Sequence, residues 1–157
     1  ARRVVAACRS KGAQQRASAA GADAVVELRD GEDATSLTSR LADACDGSLD
    51  VVLDPLFGVP ATAAAPLLGS RGRLVNLGSS AGETAVFGSA HLRSHTASVL
   101  GYTNNDITSD QRRDALLAVL QHGFEVGHDV VPLDDVSSAW SDQAAGRASQ
   151  RLVVRIG

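Results

Sequence analysis

Arg73-Leu74-Val75-Asn76-Leu77-Gly78-Ser79-Ser80-Ala81-Gly82 reads as a short buried strand that runs into a turn of glycine and small residues. Such a turn lets a flat ligand lie against the backbone at a strand's carboxyl end, which makes it the candidate active edge. Leu74, Val75 and Leu77 supply the apolar run, Gly78 removes a side chain that would hold a ring away, and Gly72 is placed to end a preceding helix in left-handed geometry. Read as residues alone, Gly78-Ser79-Ser80 serves equally as an ordinary polar loop.

Working outward, apolar runs and helix-forming stretches alternate along the chain. Val4 to Cys8 predicts a strand that closes in the basic, hydroxylated turn Arg9-Ser10-Lys11-Gly12, and Ala13 to Ala20 predicts a helix capped by Gly21. Ala24 to Leu28 predicts the next strand, followed by the charged loop Arg29 to Asp33. Leu37, Leu41 and Ala44 or Cys45 recur at helical spacing before Gly47. Leu49 to Asp54 predicts a third strand ending in Pro55-Leu56-Phe57-Gly58, and alanine-rich Pro60 to Leu68 a third helix. After the opening stretch come a helical turn at Ser89 to Ser94 and a strand at Ala97 to Leu100 that closes in Gly101 to Asn105. A helix over Asp110 to His122 then carries Ala115, Leu116, Val119 and Leu120 on one face. The tail predicts a strand at His128 to Val131, Asp134 as the cap of a helix over Val136 to Ala145, and a closing strand at Leu152 to Ile156. Near-continuous apolar strands alternating with helices predict an α/β fold with a parallel sheet covered on both faces. Ligands in such sheets bind outside the carboxyl ends of the strands.

Composition narrows the function classes. With 157 residues, 44% hydrophobic, and a net charge of −3, the chain has the profile of an ordinary globular domain. Its basic residues are scattered and its aromatics are only Trp140, Tyr102, Phe57, Phe87 and Phe124, a pattern that does not suit nucleic acid. Cys8 and Cys45 form neither a metal-ligand spacing nor a disulfide scaffold, which points to a reducing, cytoplasmic setting. No apolar run is long enough to span a bilayer, so no membrane role is expected. His91, His95, His122 and His128 are too spread to suggest a metal set. Asp54 at a strand end reads as a turn-capping carboxylate before an acid or base, and Ser79 and Ser80 have no adjacent His-Asp partners. A chain that enters a strand at once and contains no methionine is expected to belong to a longer polypeptide.

Five stretches taken in order carry a family resemblance: Val4 to Lys11 with Gly21 to Val26; Asp50 to Gly58; Gly72 to Gly82; Leu100 to Asn104; and Val131 to Val136 with Ala139-Trp140. Together they resemble the carboxyl-terminal half of the medium-chain dehydrogenase/reductase superfamily, in its zinc-independent quinone oxidoreductase branch. The resemblance implies a Rossmann-like doubly wound parallel sheet of order 3-2-1-4-5-6, here lacking its first strand and Gly-rich loop. Residues 1–126 would be the partial NADP-binding domain and 127–157 a segment returning to the catalytic domain. The absent strand belongs between those containing Val5 and Val52. An adjoining polypeptide, with the amino-terminal catalytic domain, is therefore an expected partner.

In this fold an acid in the turn after the second strand accepts from the free ribose hydroxyl and repels a 2′-phosphate. Arg9-Ser10-Lys11 has no acid, so NADP(H) is the expected cofactor. The resemblance further places Pro55, Leu56 and Phe57, then Leu77, Gly78 and Ser79, beside the ribose and nicotinamide. Tyr102, Thr103 and Asn104 would close over the ring, and Arg147 of the run Arg147-Ala148-Ser149-Gln150 would reach back to the cofactor. Leu28 stands where some relatives carry a tyrosine, and Gln150-Arg151 where many show Gly-Lys. The implied activity is reduction of a small-molecule quinone or other conjugated carbonyl by NADPH, with no residue assigned as catalytic and no metal. Alternatives are a fragment of a zinc-dependent alcohol dehydrogenase, with ligands elsewhere, and a non-catalytic nucleotide-binding module. Thr96 to Leu100 would form a sheet edge, and relatives pair it across a two-fold axis, so a homodimer is expected.

Overall fold

Val5–Cys8 forms the first strand (β1), an apolar run too short to bury a helical face. Ser10 ends it by capping the helix Lys11–Ala19 (α1), its hydroxyl accepting from the Ala13 amide at 3.2 Å. Ala24–Glu27 (β2) returns parallel to β1, with Val5 opposite Ala24 and Cys8 opposite Glu27. This computed structural model describes residues 2–123, 126–148 and 150–156. Phe124 and Ser149, named above, lie outside the described residues. The chain forms two units, 1–105 and 106–157.

Asp33 starts the helix Ala34–Cys45 (α2): one carboxylate oxygen accepts from the Thr35 and Ser36 amides at 2.8 and 2.9 Å, the other from the Ser36 hydroxyl at 3.0 Å. The Ser36 amide, then the Ser36 hydroxyl, hold this carboxyl below the usual aspartate range. A depressed folded pKa means stability present above the unfolded value and lost as pH falls through the folded one. Asp33→Ala is therefore expected to melt earlier at neutral pH, with the difference closing in acid. Thermal melts at stepped pH check this, and a gap that persists at low pH would remove the carboxylate account. Leu37, Leu41 and Cys45, spaced four apart, form the buried stripe of α2.

Leu49–Asp54 (β3) lies where its apolar run predicts. The following helix, Gly58–Ala64 (α3), starts two residues before the expected Pro60 and tightens into a 3-10 turn over Ala65–Leu67. Leu68–Asn76 (β4) then begins earlier than expected. Gly72 does not end a helix: it sits inside β4, and the left-handed residue is its neighbour Arg71, at φ 60°. The pairing explains why. Leu49 pairs with Leu68 and Val51 with Arg73, so β4 carries a bulge between them. A Cβ on Gly72 would lie 2.8 Å from the Leu49 carbonyl oxygen, so glycine is required there by close approach.

Ser89–His95 (α4) leads to Ser98–Gly101 (β5), which pairs in parallel with β4 to give the order β3-β4-β5. The register puts Val52, Leu74 and Val99 on one face, packed with Ala61 and Leu68. On the opposite face Val51, Leu53 and Leu100 are 45%, 68% and 46% exposed. A second cluster, Val26, Leu37, Leu41, Ala63 and Ala64, takes Val5 from β1 and Val52 from β3 against its border. Yet β1 is hydrogen-bonded to β2 and β3 to β4, with no pairing between β1 and β3. One margin of each strand thus has no strand partner among the described residues. Parallel strands with intervening helices make this the Rossmann-like α/β fold.

In the second unit, Thr108 and Gln111 form a reciprocal capping box at the start of Ser109–His122 (α5). His128–Pro132 (β6) and Arg151–Arg155 (β7) run parallel, with Val136–Ala144 (α6) between them. Asp134 is not the cap of that helix. A 3-10 turn over Leu133–Asp135 leads into it, and Asp135 stands at the N-cap without a side-chain bond.

Candidate functional site

The predicted site residues fall into two groups within the first unit, and one residue of the second. The first group follows β1. Lys11 opens α1, whose first turn contains no acid, so a cation and a helix amino terminus lie together. Ser10 presents its hydroxyl oxygen to α1 as the cap. Arg9 is not solitary: its Nε lies 3.4 Å from Asp30 Oδ1, on the turn after β2.

The second group lines the carboxyl ends of β3, β4 and β5. Asp54, 4% exposed, ends β3, and its Oδ1 accepts from the Leu56 and Phe57 amides at 3.0 and 2.9 Å. It is the turn-capping carboxylate that its position predicts. Its Oδ2 is buried with no partner among the described residues. Within this turn Phe57 takes φ 57° and ψ −154°, a conformation bulky residues avoid and one that costs on the order of 1–3 kcal/mol. Its ring is held edge-to-face on Phe87, centroids 6.1 Å apart.

The turn after β4 is fastened to this one along its length. The Leu77 amide donates to the Asp54 carbonyl and the Ala81 amide to the Leu56 carbonyl, each at 2.7 Å. Ser80 donates to the Pro55 carbonyl through both its amide, at 3.4 Å, and its hydroxyl, at 3.2 Å. Phe57 and Gly82 form a bridge. Gly78 faces the Pro55 carbonyl oxygen, which would lie 3.0 Å from any Cβ there. The turn after β5 joins them, since the Tyr102 amide donates to the Asn76 carbonyl at 3.0 Å. Tyr102 is half-exposed and its hydroxyl donates to Asn104 Oδ1 at 2.8 Å, while Thr103 Oγ1 accepts from the Asn105 amide at 3.2 Å. Pro55 to Phe57, Leu77 to Ser79 and Tyr102 to Asn104 therefore share one rim.

Arg147 belongs to the second unit, where its guanidinium makes two hydrogen bonds, of 2.9 and 2.7 Å, to Asp142 at the side of a cleft among β6, α6 and β7. Asp142 gave no signal in the sequence. Asp30 could have been found, because consecutive parallel strands set their following turns side by side and both turns are charged.

The rim is suited to holding a flat ligand rather than to nucleophilic attack. The Ser79 hydroxyl donates to Glu83 Oε1 at 2.6 Å, so its neighbour is a carboxylate and it lacks the imidazole that activates a hydroxyl. Among the described residues no three His, Cys, Asp or Glu side chains gather to hold a metal ion. His91 and His95 stack at 4.1 Å, and the His91 Nε2 lies 2.9 Å from the Leu68 carbonyl oxygen. No helix among the described residues is long and apolar enough to cross a membrane.

Comparison with known structures returns the same fold. A mycobacterial quinone oxidoreductase superposes with a TM-score of 0.81 at 19% identity, over 98% of this chain and 49% of that one. CurA from Vibrio vulnificus, solved in complex with NADPH, gives 0.74 at 18% identity, over 99% and 50%. Benzyl alcohol dehydrogenase from Acinetobacter calcoaceticus gives 0.77 at 18% identity, over 100% and 43%. The chain thus spans half or less of the length of each of these structures. No curated protein matches its sequence. The profile that does match, over residues 1–121, is that of the zinc-binding dehydrogenases, and with the Rossmann-like sheet described above it places the chain in that family of the medium-chain dehydrogenase/reductase superfamily.

Proposed function

We propose that this chain is the cofactor-binding half of an NADPH-dependent oxidoreductase that reduces quinones or other conjugated carbonyls. The observation that carries the reading is the turn after β1, where Arg9 and Lys11 flank the amino terminus of α1 and the first helical turn has no acid. Two cations and free amides suit a phosphate on the ribose. The glycine-bearing rim at the ends of β3, β4 and β5 suits a ring lying flat, and two solved relatives of this fold carry NADPH in their crystals. When bound, the nicotinamide supplies a hydride for direct transfer to the substrate. The chain's own residues would orient it: Arg9, Ser10 and Lys11 at the adenosine phosphate, Pro55 to Phe57 and Leu77 to Ser79 along the ribose and carboxamide, and Tyr102 to Asn104 over the ring.

Residues 1–126 would form the cofactor-binding portion and 127–157 return toward a substrate-binding domain. A strand from an adjoining polypeptide would occupy the margin between β1 and β3, where neither strand has a ladder partner among the described residues. The outer edge of β5 would pair with its copy in a homodimer.

Arg9→Ala is expected to weaken NADPH binding about tenfold, the loss of one charge-assisted contact of about 1.4 kcal/mol, while NADH binding stays unchanged. Titration of both nucleotides followed by a quinone-reduction assay tests the whole reading. Equal affinity for NADH and NADPH in the unmodified protein would overturn the cofactor, and binding without turnover of any conjugated carbonyl would reduce the protein to a nucleotide-binding module.

A further inference from the structure

Arg9, one of the two cations behind that cofactor preference, already faces a counter-charge. Its Nε lies 3.4 Å from Asp30 Oδ1, with the two side chains 73% and 85% exposed. The pair follows from the topology: Cys8 and Glu27 are the last partners of the β1–β2 ladder, and the turns that leave them run side by side. The other acids nearby are occupied. Glu27 pairs with Arg29 at 3.2 Å, Glu32 holds Arg40 at 2.6 Å, and Asp33 caps α2. Arg40 is also bonded to the Glu27 carbonyl. Asp30 is therefore the acid presented to Arg9.

We propose that Asp30 sets the cofactor selectivity of this site by competing with a 2′-phosphate for Arg9. The inference rests on the NADPH reading given above and names the residue that limits it. A phosphate seated at Arg9 must displace the carboxylate and then remain close to it, so Asp30 opposes the phosphorylated cofactor twice, as a competing ligand and as a like charge. NADH carries no charge at that position and feels neither effect. Because the pair is exposed, the penalty is modest and screened by salt.

The test is Asp30→Asn, an isosteric change at an exposed position, made in the protein with its sheet completed. Isothermal titration with NADPH, NADH and 2′-AMP, at low and at high salt, gives the readout. The expected result is NADPH and 2′-AMP binding tightened about threefold to tenfold at low salt, with NADH unchanged. The gain should shrink at high salt and vanish in an Arg9→Ala background. If the unmodified protein binds NADPH and Asp30→Asn leaves that affinity unaltered, the selectivity role is lost while the cofactor reading stands. If Asp30→Asn weakens NADH, the carboxylate is instead an acceptor for the ribose hydroxyl, and the role is reversed. If the unmodified protein binds neither NADPH nor 2′-AMP, both readings fail together.

Discussion

Gly58→Ala is expected to destabilise the first unit by about 2–5 kcal/mol and to abolish the nucleotide binding proposed for the rim. The glycine has φ +58°, where an added Cβ costs about 1–2 kcal/mol. The same Cβ would sit 2.9 Å from the Ala81 carbonyl oxygen, 3.1 Å from its carbon and 3.2 Å from the Gly82 Cα. All three are backbone atoms that cannot rotate aside, so about 1–3 kcal/mol of overpacking is added. Relief requires the two turns to part, and with them the bonds from Ser80 and Ala81 to Pro55 and Leu56. Gly88→Ala is the control, since a Cβ there meets nothing within 4 Å. Urea denaturation and NADPH titration of both variants check this. Equal stability of the two would show that the turns are not locked as described.

Leu74→Ala is expected to cost about 3–5 kcal/mol, the upper part of the range for a buried leucine. Leu74 is 0% exposed and lies at the centre of the cluster with Ala61 and Leu68. Three of its surrounding cluster members, Ala61, Ala85 and Ala97, are alanines too short to collapse into the space left. Leu53→Ala, on the opposite face of the same sheet and 68% exposed, should change stability by only about 0.5 kcal/mol in this chain. Comparable losses at Leu53 and Leu74 would contradict the assignment of the buried face.

The strands were legible because a parallel sheet demands near-continuous apolar runs such as Leu49 to Asp54, while their order came from the family resemblance; the expected cover on both faces is not found, since Val51, Leu53 and Leu100 stay exposed on one of them. The loop at Arg29 to Asp33 was legible as charged. What escaped was non-local. Gly69-Ser70-Arg71-Gly72 has the composition of a turn, yet β4 carries through it as a bulge, because pairing with Leu49 overrides local preference. Asp134 looks like a cap, but it lies within a 3-10 turn over Leu133–Asp135, so the N-cap position falls on Asp135 while the helix starts at Val136 as expected. Phe57 gives no hint of a left-handed backbone. Its conformation is imposed by the Asp54 carboxylate on one side and the Gly82 bridge on the other. The Arg9–Asp30 pair joins residues from different turns, and only the adjacency of β1 and β2 brings them together.

The two half-sheets of the first unit share no ladder, and what joins them is a floor of helix. Val5 and Val52 border one cluster of α2 and α3 side chains, and the Thr38 hydroxyl donates across to the Ala63 carbonyl at 2.9 Å. Losing either half would strip the same layer of Leu37, Leu41 and Ala63 of its cover, so the halves should melt as one cooperative block. The strands divide into two hydrogen-bonded sets, and one layer of helix side chains lies against both.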